Sequence, residues 1–275
     1  MNEPLTVEEL ERALDYPYSV PATHFVFDTT TGETLLRPGL ALAGIKAVGE
    51  RLGATFYDVD IVEGGVVETL KSVCPVVASG SNASPVQLAR KFSGRSQHAF
   101  VSIHCEFRGV IPVYSSHFAH YGAIAATLTE YPGAKSGLVM SFLPEAELEL
   151  MHRTESLGVH YDFRTMPPGV LARAGFEDMR LFYYASRHPP LLAHGDEPIL
   201  VSSFDVRDCR LRRASEREVL SRAIALIFPD RDFTDALTAI VRSNEDRAQA
   251  EKKLKSIRID FDESILRSAS SESSL

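Results

Sequence analysis

Cysteine is scarce: Cys74, Cys105 and Cys209 are the three in 275 residues, odd in number, far apart and never in a C-x-x-C pair. A disulfide framework is excluded on that spacing, and a reducing, cytoplasmic setting is the simplest reading. Long apolar runs are also missing. None reaches the ~20 residues of a membrane-crossing helix, so no membrane partner is expected. The opening Met1-Asn2-Glu3-Pro4 carries no apolar signal-peptide core. Basic charge is in deficit, with 29 Lys and Arg against 37 Asp and Glu, a net charge of −8 and no basic stripe. Nucleic acid held through its phosphates is therefore not an expected partner. No internal repeat is visible. What is present is the composition of an ordinary globular protein, 44% hydrophobic and 24% charged, on a chain long enough to bury a full core.

The pattern along the chain predicts a helix over 5–15, with Thr6 as cap and Glu9 at the capping-box spacing. Tyr16-Pro17-Tyr18-Ser19-Val20-Pro21 reads as extended, because a residue before proline avoids the helical region. A short strand over 24–27 precedes a turn at Thr29-Thr30-Thr31-Gly32. Residues 40–52 are apolar at mixed helical spacing, and 56–62 admit a strand. The middle is β-rich: strands are expected at 76–79, 99–107, 123–128 and 137–142, with 110–115 continuing or pairing with 99–107 and Tyr131-Pro132-Gly133 as a turn between the last two. A helix over 144–154 follows, with Leu148 and Met151 on one face, then strands at 160–165, 181–186 and 199–206. From Ser215 the pattern is helical, with segments opening at 215, 233 and 245; the last is a charged, solvated face. The serine-rich stretch 268–275 is expected to be disordered.

Two places carry chemistry. Residues 75–79 form an apolar strand that stops at Ser79-Gly80-Ser81-Asn82, and helix-like residues follow from Val86. A polar loop at a helix start presents N–H groups to an anionic or carbonyl oxygen. Downstream, Glu155 closes an amphipathic helix and is a candidate general base. Each residue also has a plainer reading: a strand-to-helix turn, a solvated carboxylate at a helix end, and, for Tyr161, a packed strand tyrosine. Asn82-Ala83-Ser84 matches a glycosylation sequon by chance. His98, His104, Cys105, His117 and His120 lie near one another in sequence but not at zinc-site spacing, so no metal is expected. A triad of Ser81, His120 and an aspartate lacks any G-x-S-x-G elbow.

The order of these features resembles the gamma-glutamylcyclotransferase family. Its Tyr-Gly-Ser-Asn loop is matched by Ser79-Gly80-Ser81-Asn82, and its small-residue strand by Tyr121-Gly122-Ala123-Ile124-Ala125-Ala126-Thr127. Pro132-Gly133 and Gly137-Leu138-Val139 take the places of its turn and next strand. Met151-His152-Arg153-Thr154-Glu155-Ser156 stands where the family has Leu-Asp-x-x-Glu-Gly, and Tyr161 opens the strand beyond. The likeness covers roughly 75–165 and extends toward 205. Three residues depart from it: Ser79 replaces the loop tyrosine, His152 the aspartate and Ser156 the glycine. The first removes an aromatic wall of the family's pocket.

The resemblance implies an α+β fold: a small mixed, partly closed β-barrel with flanking helices. Residues 1–74 would pack on a core of 75–206, and 207–275 would form a helical extension ending in a disordered tail. It also implies cyclisation of a γ-glutamyl amide to 5-oxoproline without a cofactor. Glu155 would be the acid/base, and Ser79, Gly80, Ser81, Asn82 and Tyr161 would hold the small-molecule substrate. A homo-oligomer is compatible. A non-catalytic metabolite- or peptide-binding protein on the same fold, and a cofactor-free amide hydrolase, stay open beside it.

Overall fold

The computed structural model describes residues 3–261. The expected disorder of 268–275 lies outside the described residues.

In chain order the elements are α1 (Val7–Leu14), β1 (Phe25–Asp28), β2 (Thr34–Leu36), β3 (Ala41–Arg51), β4 (Ala54–Glu63), β5 (Val66–Ala78), α2 (Pro85–Phe92), β6 (Ala99–Phe118), β7 (Ile124–Pro144), α3 (Glu145–Thr154), β8 (Tyr161–Thr165), β9 (Phe182–Ser186), β10 (Leu200–Val201), β11 (Val206–Arg207), β12 (Arg213–Ala214), α4 (Glu216–Ile227), α5 (Phe233–Arg242) and α6 (Asn244–Leu254). The class is mixed α+β. A large sheet, antiparallel at most of its pairings, follows the order β12-β10-β6-β7-β5-β4-β3.

The expected small, partly closed barrel is not found, because this path does not return on itself among the described residues. The reason lies in strand length. β6 and β7 run 20 and 21 residues, so each has room for different neighbours along its length. β6 takes β1 at 99–102 and β10 at Val113. β5 takes β4 over 66–73, then runs between β7 and β9 near Val76 and Val77. The sheet branches instead of wrapping. The expected boundary at residue 74 falls inside β5, whose 13 residues continue from an exposed hairpin into a buried run.

Two expectations are corrected. Residues 40–52 form strand β3 rather than anything helical: pairing with β4 through two register shifts overrides a mixed apolar spacing. Residues 123–142 are one strand, not two. Tyr131, Pro132, Gly133 and Ala134 form a bulge opposite Gly109, between the pairs Arg108↔Lys135 and Val110↔Glu130. A bulge is where a sheet tolerates proline.

The helices agree closely with their sequence signals. Thr6 caps α1 with the full capping box, and the Ser215 side chain accepts from the Glu218 N–H. α2 and α3 pack on each other, burying Leu88 and Phe92 of one and Leu148 and Met151 of the other. These side chains recur at helical spacing, which leaves one face of each helix for the core. Because β5 and β7 are antiparallel, α2 and α3 leave the sheet from opposite ends, and α3 runs back along α2 to bring its C-terminus to the loop after β5.

Candidate functional site

The loop after β5 is a 3-10 turn, Ser81–Ala83, in which Ala83 N–H donates to Gly80 O at 3.0 Å and Ser84 N–H to Ser81 O at 2.9 Å. Ser84 then precedes α2, with Pro85 in its first turn, where the missing N–H costs nothing. Glu155 caps the C-terminus of α3. Although 73 residues separate them, the two meet: Asn82 Nδ2 donates to Glu155 Oε1 at 3.0 Å.

Sequence reasoning missed Lys91. One turn above Gln87 on α2, it points to the same place. Its ammonium donates to Asn82 Oδ1 at 2.7 Å, forms an ion pair with Glu155 Oε1 and contacts Met151 Sδ at 3.7 Å. The Lys91 and Glu155 side chains are only 9% and 11% exposed, so the pair is largely out of water. Both hydrogen bonds to Glu155 fall on Oε1, and Oε2 accepts none from a described residue. Lys91 near the end of α2 and Glu155 just past the end of α3 are 64 residues apart and share no recognisable spacing, which is why the pair was not legible.

A small cavity of about 30 Å³ lies between the loop and the carboxylate. Its walls are Ser79, Gly80, Ser81, Asn82, Glu155 and Tyr161, with Tyr16, Ala126 and Tyr184. All six residues expected at the site are thus brought together. A second cavity, about 180 Å³, shares Ser81, Glu155, Tyr161 and Tyr16 and extends past Gln87, Lys91, His117, His120 and Arg247. Gln87 Oε1 is buried there without a partner among the described residues. A wider groove of about 630 Å³ between α1, α2 and α4 reaches Tyr16 from outside. It is larger than either of these two, but neither the loop nor Glu155 lines it.

Tyrosines form much of the wall. The Tyr161 hydroxyl donates to Ala126 O at 3.2 Å, and its ring meets His117 edge-on at 5.4 Å. Tyr121 lines the larger cavity, with the Arg12 guanidinium 4.5 Å from its ring centre. Tyr184 Oη lies 2.8 Å from His152 Nδ1. Burial raises the Tyr16, Tyr121, Tyr161 and Tyr184 phenols, so all four stay protonated. Gly80 has a specific neighbour: a methyl group there would overlap the Tyr16 hydroxyl and stand 3.2 Å from Ala126 Cβ. What the glycine lets approach in this structure is Tyr16.

A bulge in β6 opposite Ala125, between Tyr114↔Ala126 and Phe118↔Ile124, carries His117 toward the larger cavity. His117 stacks on His188 and His160 at 4.5 and 5.2 Å, and His160 Nδ1 lies 3.1 Å from His188 Nε2. Stacked rings direct their nitrogens in parallel planes, so they do not converge on one ion. No group of three His, Cys, Asp or Glu among the described residues is arranged to hold a metal. Burial pushes His117 well below the ordinary histidine range, with His188 and His160 adding to it, and pushes His188 down to about 4.

Compared with family models, with curated proteins and with solved structures, the chain matches none. No helix among the described residues is long and apolar enough to cross a membrane.

Proposed function

We propose that this site performs acid/base chemistry on a small amide, and that the protein is an enzyme of the gamma-glutamylcyclotransferase type on a variant of that family's fold. The observation that carries the reading is the Asn82–Glu155 hydrogen bond at the wall of a cavity, which joins the loop to the carboxylate.

The α-amine of a γ-glutamyl group attacks its own γ-carbonyl. A C–N bond forms, the carbonyl electron pair moves to oxygen, and the amine loses a proton to Glu155 Oε2. On collapse the carbonyl reforms, the bond to the leaving nitrogen breaks, and Glu155 returns the proton to that nitrogen. One carboxylate serves both steps, because it ends each turnover as it began. Donors at the Gly80–Asn82 loop stabilise the transient oxyanion. Lys91 and Asn82 hold the carboxylate by its other oxygen. Ring closure within one molecule needs little further help, since amine and carbonyl are already neighbours.

Expected outcome: purified protein releases 5-oxoproline from at least one γ-glutamyl compound, and Glu155→Gln abolishes this at a temperature where the variant is still folded, as does the charge-balanced double variant Lys91→Met with Glu155→Gln. Full activity in the variant overturns the mechanism. The small volume beside the loop, about 30 Å³, favours a second reading: a non-catalytic protein that binds a small acidic metabolite through the same loop. Tight binding of a γ-glutamyl compound without any lactam would establish it.

A further inference from the structure

Tyr16 lies in the segment after α1, 63 residues before Ser79, in a stretch outside the family likeness. Its side chain nevertheless reaches the loop. The residue is 6% exposed. Its hydroxyl oxygen accepts the Ala126 N–H at 2.9 Å and rests against Gly80. Its own proton has no acceptor among the described residues. Buried hydroxyls ordinarily find one, and an exception calls for a cause.

The surroundings supply the cause. Tyr16 lines the 30 Å³ cavity together with Gly80, Ser81, Asn82, Ala126 and Glu155. That volume has room for about two water molecules, so it fits a small polar group such as a carbonyl rather than a whole substrate. The adjoining 180 Å³ cavity, which shares Tyr16 and Glu155, has room for the rest. Tyr161 cannot serve the same purpose, since its proton goes to Ala126 O. The two phenols bracket the Ala126 peptide, one at its N–H and one at its C=O, and only Tyr16 keeps a free donor.

We propose that Tyr16 is a catalytic residue of this site, its hydroxyl donating a hydrogen bond to the carbonyl oxygen that becomes negative when the amide is attacked. The inference rests on the acid/base reading above. Tyr16 transfers no proton: the carbonyl electron pair moves to oxygen, is held there by the O–H, and returns as the leaving C–N bond breaks. Glu155 alone carries the proton between the two nitrogens. The N-terminal segment thereby becomes part of the active site, and the aromatic lost at Ser79 has a counterpart from elsewhere in the chain.

The test is Tyr16→Phe, which keeps the ring and removes the hydroxyl, and with it both the free donor and the acceptor of the Ala126 N–H. Loss of one such donor lowers kcat by about 10²-fold or more, with a smaller rise in KM of up to about tenfold, because the O–H also holds the ground-state carbonyl. Calorimetric titration with 2-pyrrolidone, a lactam carbonyl with no other group, is expected to show about tenfold weaker binding by the variant. A melting temperature near the wild type shows that the fold is kept. Unchanged kcat, a raised kcat (the phenol would then be a plug) or equal lactam binding by the two proteins overturns the role of Tyr16 while leaving the Glu155 reaction standing. No lactam from wild-type protein on any γ-glutamyl compound overturns both.

Discussion

Lys91 divides its ammonium between Asn82, Glu155 and Met151, and in doing so determines what Glu155 is. Without the lysine, the carboxylate would be a buried charge with one amide for company. Removing one partner of a buried pair leaves that uncompensated charge and costs about 3–5 kcal/mol, whereas removing both charges costs far less. Lys91→Met is therefore expected to lose several kcal/mol in denaturant unfolding, and Lys91→Met with Glu155→Gln to recover most of it. A double variant as unstable as the single one would show that the ion pair is not what the lysine provides. Gly80 is constrained at the same scale: its lack of a side chain is needed by the Tyr16 hydroxyl resting on it.

At the scale of elements, two bulges shape the long hairpin of β6 and β7. The one in β6 turns His117 into the larger cavity; the one in β7 absorbs Pro132 and Gly133 far from it. Gly133 adopts φ of +89°, which side-chain-bearing residues rarely adopt, and no atom stands within 4 Å of where its Cβ would be. The cost of a side chain there is thus one of backbone conformation alone, about 1–2 kcal/mol. Gly133→Ala should lower the melting temperature without altering turnover, because the bulge lies outside both cavities. A loss of activity at unchanged stability would contradict that separation.

For the molecule as a whole, burial sets the response to acid. His24, His104, His117, His120, His152 and His188 are all depressed, with burial as the main cause. The unfolded chain takes up protons at these imidazoles near pH 6.5; the folded chain does so only at lower pH, about 4 at His188. Between those limits the unfolded state binds more protons, so stability falls as pH falls. Glu216 acts with the opposite sign. Burial raises its carboxyl well above 4.5, so it stays protonated in the fold and its contribution declines as pH rises. Six imidazoles outweigh one carboxyl across this window. The melting temperature is expected to drop from pH 7 to pH 5, and a flat or rising profile would show that the buried histidines do not dominate.

Periodicity and caps, which are local, were enough to determine the helices. Thr6 with Glu9, and Ser215 with Glu218, mark their starts because a cap and its N–H partner sit three residues apart. The strand–turn–helix around Gly80 and the helix ending at Glu155 were equally legible, as each is one contiguous stretch. Pairing was not. The barrel expected from resemblance became an open, branched sheet because which strand lies beside which depends on partners more than 100 residues away, as at Val76↔Phe182, whereas 40–52 became a strand because it pairs as a hairpin with β4 directly after it. Only the tertiary structure brought Lys91 and Tyr16 to the loop. Neither lies at a spacing that sequence can reveal, since their approach follows from how two helices and an N-terminal segment pack against one another and the sheet.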